Sequence, residues 1–216
     1  MDYFKNAIAI KEEFLSATIS TIYMVFFTAI IAGIIGLILG IILTVTERDG
    51  ILENKIVNSL LDKIINLFRS IPFIILLAIL ARLTRVIVGT RIGEKAAIVP
   101  LVFGTFPFFA RQVQNVLLEV DSGIIEAAEA MGSSEIEIIT RVYLKESLPS
   151  LIRVCAITLI SLIGLSAMAG AIGAGGLGKL AIAQGYNRFQ DDVTLVSMFI
   201  ILIIVYIIQG ISNILI

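Results

Sequence analysis

The chain has 216 residues, 58% of them hydrophobic and 15% charged, with a net charge of −1 and no histidine. At a mean hydropathy of +1.04, a water-soluble domain of this size would leave too much apolar surface in solvent, so the composition is that of an integral membrane protein. The near-neutral charge argues against a nucleic-acid partner. The missing histidine removes Ser–His and Cys–His nucleophile pairs and any HExxH metal site.

The first residues, "MDYFKNAIAIKEEF", lack the basic segment and short apolar core of a cleavable signal. They read as an amphipathic stretch lying at the membrane interface. From Phe14 to Thr46 there is no charged residue. A helix needs about 20 residues to cross the hydrocarbon, so a first span is expected at 19–44, with Gly36-x-x-x-Gly40 permitting close helix packing. A second span is expected at 64–81, interrupted by Arg69, and a third at 96–118, interrupted by Arg111. Each arginine lies toward one end of its span, where it snorkels or faces protein, and Arg69 reads as an interfacial anchor.

The segment 119–150 follows. Ile124 to Met131 reads as a short helix with Glu126 in its first turn, where a carboxylate complements the positive helix end. Ala127, Ala128 and Ala130 leave little bulk, and Gly132 suits a left-handed helix end. Ser134 with Glu137 forms a capping box for a second helix at 135–146, and Pro149 fits the first turn of the next span. From the residues alone, a solvated hairpin and a docking surface remain alternatives. A fourth span is expected at 151–170, with Cys155 as a small packing residue, and a fifth at 193–214.

Between those last spans lies "GAGGLGKL", one residue short of a Walker A loop because Leu180 replaces Ser or Thr. Such a loop needs a strand before it and a helix after it to present its N–H groups to phosphates. An uncharged helical run precedes this one. The glycines of "SAMAGAIGAGGLG" therefore read as close-packing or unwound backbone beside a pore, which is tolerated at membrane depth where protein or a cavity covers it.

No catalytic or metal residue is expected. The six aspartates fall in loops or at span ends, and no ionisable residue sits mid-span as a coupled carrier requires. Five spans put the termini on opposite sides. The loops at 46–63 and 119–150, with Arg69 and Arg153, carry seven basic residues against eight on the other side, so the positive-inside rule does not orient the chain.

"EAAEAMG" followed by a second helix and a downstream Leu148-Pro149 resembles the EAA loop of ATP-binding-cassette importer permeases. The segments "FRSIPFIILL", "TRVIVGT", "AAIVPL", "LLEVDSGIIEAAEAMG" and "SAMAGAIGAGGLG" are similar, in that order, to the methionine-importer branch over about residues 20–210. There are two departures. Lys145 stands where the family's loop has proline, which implies a straighter second helix or a shifted partner contact. The basic C-terminal tail of many relatives does not follow Ile216, so a truncated C-terminus is one expectation.

The resemblance implies one all-α permease domain over 1–216, with five transmembrane helices and a cytoplasmic coupling-helix loop between the third and fourth. It implies a multi-pass protein of the bacterial inner membrane, N-terminus outside and C-terminus cytoplasmic. Its partners would be membrane lipid, a second copy of itself, two ATP-binding-cassette ATPase subunits and an external methionine-binding lipoprotein. ATP and Mg would be bound by the ATPase, with no cofactor in this chain and no enzymatic activity of its own. Glu126, Ala127, Ala128 and Gly132 would couple to the ATPase. Ser166, Met168, Gly170 and Gly173 would line the translocation pathway or its gate, although by residue type alone Met168 is ordinary packing. The implied function is ATP-driven import of D- and L-methionine by alternating access. Another small amino acid or organic solute, a passive channel and a structural membrane subunit are the alternatives.

Overall fold

A computed structural model describes residues 3–216, which are mostly helical with short turns between helices and no strand among them. Met1 and Asp2, at the start of the expected interfacial stretch, lie outside the described residues. The rest of that stretch forms a short helix α1 (Lys5–Ala9) and the first turns of α2 (Lys11–Val45). At about 1.5 Å per residue, α2 is longer than the hydrocarbon thickness, so it extends beyond the expected 19–44 span. Its buried face (Phe14, Ala17, Thr21, Met24, Thr28, Ala32, Gly36 and Gly40) repeats every three or four residues.

The expected second span is not one straight helix. It is divided into α3 (Lys55–Ser70) and α4 (Phe73–Val88), bent by 108°. Pro72 causes the break, since its ring drives Ile71 out of the helical region, to ψ 121°. Asn54 starts α3 by accepting the N–H groups of Ile56 and Val57 at 3.2 and 3.1 Å. The charged and polar Asp62, Asn66 and Ser70 share one face of α3, and the exposed apolar Ile56, Leu60, Ile64 and Leu67 lie on another. Among the described residues four helices are long and apolar enough to cross a membrane, and the bent pair brings the number to five if it forms one broken span.

Helix α5 (Glu94–Leu117) is the central element, packed against α2, α3, α4 and the later α8. Its most apolar stretch is 61% buried, against 6% for the C-terminal helix. The tightest approach is to α2: a Cβ on Gly36 would lie 2.8 Å from Phe109, and one on Gly40 would lie 2.6 Å from Val113. The GxxxG spacing is therefore used for backbone contact, as its sequence implied. Arg111 faces protein. It pairs with Asp62 of α3 and donates to Gln114 at 2.6 Å, while Gln114 donates to Glu47 at 3.1 Å.

Beyond α5 come α6 (Ser122–Ala130) and α7, which starts at Glu135–Glu137, widens to a π-helix over Ile138–Tyr143 and ends at Leu144–Glu146. Helix α8 (Leu148–Ala169) carries Pro149 in its first turn. A glycine-rich segment, 170–190, then leads to α9 (Asp191–Leu215). Asp192, 3% exposed, ties α1 to the start of α9 by accepting the Ala7 N–H at 2.8 Å and the Asn6 amide at 3.1 Å.

Candidate functional site

Two regions carry the candidate residues, at opposite ends of α8. The first is the α6–α7 hairpin. Asp121 caps α6 by accepting the Gly123 N–H at 2.7 Å, so the helix starts at Ser122, two residues before the expected Ile124. Its other end closes as a Schellman motif. Gly132 adopts φ +81°, its N–H donates to Glu129 O at 2.9 Å, and Ser133 N–H donates to Ala128 O at 3.1 Å. The capping box is present in both directions. Glu137 N–H donates to Ser134 Oγ at 3.4 Å and Ser134 N–H to the Glu137 carboxylate at 3.1 Å. The Ser134 N–H, and the Ser134 hydroxyl that donates to the same carboxylate at 3.0 Å, hold the Glu137 carboxyl below its ordinary range, assisted by Arg141 one turn on.

The hairpin divides its alanines between two directions. Glu126 and Ala127 are exposed, and Met131 stands 80% exposed at the turn. Ala128 is 5% exposed, contrary to the expectation that both Ala127 and Ala128 face outward. It packs with Val45, Val113, Leu117, Ile138, Tyr143, Leu151 and Val154, so its small size lets α6 sit close on the bundle. The sequence reading missed Ile138 and Tyr143 as the residues that root α7 in the same cluster; their π-helical turn hides the regular spacing that marks a buried face. Lys145 is exposed on α7, which reaches Glu146 as expected although the π-turn interrupts its regularity.

The second region is the glycine-rich segment. Helical geometry fails at Ile172 (φ −112°, ψ 21°) and Gly173 (φ 111°, ψ 6°), with positive φ again at Gly175 and Gly176. A Cβ on Gly170 would lie 2.5 Å from Gly175 O, so the segment folds back on the end of α8. It is held from two sides. Leu177 N–H donates to Thr21 Oγ1 of α2 at 2.9 Å, and Gly93 N–H, at the start of α5, donates to Gly173 O at 3.1 Å. Gly176, Leu177 and Gly178 are buried, so the middle of the apparent phosphate loop is enclosed in protein, while Gly173 and Lys179 are exposed.

The four expected pathway residues do not share one surface. Met168 is 43% exposed. Ser166 is 2% exposed and donates to Ile163 O at 2.7 Å. Gly170 is buried, and Gly173 borders a cavity of about 210 Å³ between α4, the start of α5 and the end of α8. Cys155 is not enclosed in packing. It lines an apolar groove of about 600 Å³ bounded by α2, α8 and α9. Among the described residues no group of three or more Cys, Asp and Glu side chains is placed to hold a metal.

Comparison with known proteins agrees with this fold. The family model described as the binding-protein-dependent transport system inner membrane component matches residues 34–216. The probable D-methionine transport system permease protein of Vibrio cholerae is 42% identical over 203 residues, covering 94% of this chain and 90% of its own. The methionine import system permease protein of Bacillus subtilis is 47% identical over 201 residues, covering 93% and 90%. A solved inward-facing conformation of a methionine ABC transporter superposes with a TM-score of 0.92 at 43% identity, covering 95% of each chain. The chain belongs to the family of binding-protein-dependent transport system inner membrane components.

Proposed function

We propose that this chain is the membrane-spanning permease subunit of a methionine importer, with ATP hydrolysed on separate ATPase subunits. The observation that carries the reading is the α6–α7 hairpin. It projects Glu126 and Ala127 outward while Ala128, Ile138 and Tyr143 root it in the bundle, and it lies in a chain similar nearly end to end to permeases named for methionine.

In this reading the hairpin lies in the cytoplasm, which places the N-terminus outside and the C-terminus inside. Glu126 and Ala127 meet a groove on the ATPase, Gly132 sets the angle between the two helices, and Ala128 seats α6 close against the bundle. Two copies of the chain enclose the pathway, and two ATPase subunits bind ATP and Mg. An external methionine-binding lipoprotein delivers cargo to the outer end, where Met168 and the unwound segment at Gly173 gate entry. Met168 has the exposure a gate residue needs, and its flexible thioether can repack as neighbours move. Ser166 and Gly170 support the gate from within rather than lining it. Access alternates as closure of the ATPases moves the hairpin.

The test is uptake of labelled methionine by proteoliposomes that hold the complex and the external binding protein. Accumulation above equilibrium with ATP, absent with a non-hydrolysable analogue and lost in Glu126→Lys at normal expression, is the expected result. Uptake that only equilibrates, equal with and without ATP, would refute it. Competition by other amino acids identifies the cargo.

A further inference from the structure

Thr84 of α4 is 3% exposed, and its hydroxyl has no hydrogen-bond partner. It lines the cavity of about 210 Å³ that Gly173 borders. A buried hydroxyl left unpaired costs stability that a methyl group would not. The same cavity is lined by Arg91, from the loop between α4 and α5. Arg91 makes no ion pair and no side-chain hydrogen bond among the described residues. A third donor set lies alongside. Helix α5 begins at Gly93 without a side-chain cap, and Ala96 and Ala97 of its first turn complete the wall. Uncapped N–H groups at a helix start favour an anion. No carboxylate lines the cavity, and Glu94 of the same turn lies outside the lining.

The other buried hydroxyls without partners differ in this respect. Thr105 opens on the large groove, which no charged residue lines, and Thr28 lines neither space. Of these two spaces, the one at Thr84 brings together an unpaired buried donor and a cation without a protein partner among the described residues, the exposed Arg91.

We infer that the Thr84–Arg91 cavity is a carboxylate site that takes the α-carboxylate of the transported amino acid at the outer end of the pathway. The inference rests on the reading of this chain as an amino-acid permease. The volume is below the roughly 300–1,000 Å³ of pockets that enclose a whole ligand, so the site holds the carboxylate end and leaves the cargo side chain outside. Gly173 O accepts the Gly93 N–H across the cavity rim. A change of backbone conformation at Gly173 would therefore reshape the cavity, which ties the site to conformational state.

The test uses the complete permease–ATPase complex held with a non-hydrolysable ATP analogue, and reads methionine binding by calorimetry beside ATP-driven uptake. Wild type is expected to bind methionine and not methioninol, which has a hydroxymethyl group in place of the carboxylate. Arg91→Gln should weaken binding about tenfold or more, as for loss of a charge-assisted hydrogen bond, and Arg91→Lys should restore part of it. Thr84→Val should weaken binding severalfold while the melting temperature stays equal or rises. Equal binding of methionine and methioninol, an Arg91→Gln variant as tight as wild type, or no binding by the trapped wild-type complex would each overturn the site while ATP-driven uptake left the transport reading standing. Loss of ATP-driven uptake in wild type would instead sink the transport reading. Weaker association of the external binding protein in Arg91→Gln, with methionine binding unchanged, would assign the cavity to an acidic side chain of that protein and overturn the cargo site.

Discussion

Substitution of Gly132 separates two reasons for a glycine between α6 and α7: its backbone freedom and its lack of bulk. At φ +81° a Cβ would meet nothing within 4 Å, so within this chain an added side chain has room. The cost is conformational, about 1–2 kcal/mol for an L residue held in the left-handed region, and less for asparagine, which visits it more readily. One to two kcal/mol changes the population of the native turn by roughly 5- to 30-fold. The Gly132→Glu129 and Ser133→Ala128 hydrogen bonds both depend on that turn, so its loss frees the angle between the helices. Methionine uptake per ATP hydrolysed, measured at matched expression, should fall in the order Gly132, Gly132→Asn, Gly132→Ala, Gly132→Val, with alanine about fivefold below wild type. If asparagine were as damaging as valine, the partner surface would be excluding any side chain, and the φ argument would fail.

The Glu137 carboxyl is held below its ordinary value of 4.5 by Ser134. Its stabilisation of the α7 start is therefore complete above that value and lost as pH falls through the lower folded value; NMR titration of Ser134→Ala should show the Glu137 pKa moving upward, and an unchanged value would refute the cap. Gly40→Ala places a Cβ 2.6 Å from Val113 and should destabilise the α2–α5 contact by about 1–3 kcal/mol. Gly33→Ala meets nothing and should raise stability by up to about 1 kcal/mol, so equal melting shifts would contradict the packing. Arg111→Met combined with Asp62→Asn should cost less than the sum of the single changes, by about 1 kcal/mol for a pair of this partial exposure. Tyr143→Ala should lower uptake per ATP severalfold through loss of buried contacts while Tyr143→Phe, which keeps the ring, leaves it near wild type.

What was legible in the sequence followed from local rules. The Ser134–Glu137 box, the left-handed Gly132 and Pro149 in the first turn of α8 each depend on residues within a few positions of one another, and GxxxG depends only on the absence of side chains. Hydropathy marked apolar lengths but not direction, so the bend at Ile71–Pro72 passed as one span although the proline was visible. Ala128 turning inward, Ser166 bonding to its own helix and Arg111 reaching Asp62 depend on how distant elements pack. A single sequence carries no such signal. The π-turn at Ile138–Tyr143 also broke the spacing by which Ile138 and Tyr143 would have been recognised as buried.

The packing at the two ends of α8 explains how one region could move the other. Leu151 and Val154, near its start, share a close-packed cluster with Ala128 of α6 and with Ile138 and Tyr143 of α7. Close-packed interiors shift as units rather than compress, so displacement of the hairpin is passed to α8. The helix between is 22 residues, about 33 Å at its regular rise, and is stiff over that length. At its far end Ala169 packs with Met24, Phe73 and Leu101, while the backbone of Ala167 lies against Gly178. Regular geometry stops three residues after Ala169, at Ile172 and then Gly173. A stiff helix anchored at both ends can change the surface at its far end only where the chain is not helical, which places the joint at 172–175. The same four residues interrupt the helix, border the cavity at Gly173 and Ala174, and accept the hydrogen bond from Gly93 at Gly173. The glycines are therefore required at the joint for their backbone conformations: positive φ at Gly173 and Gly175 lets the chain reverse without strain.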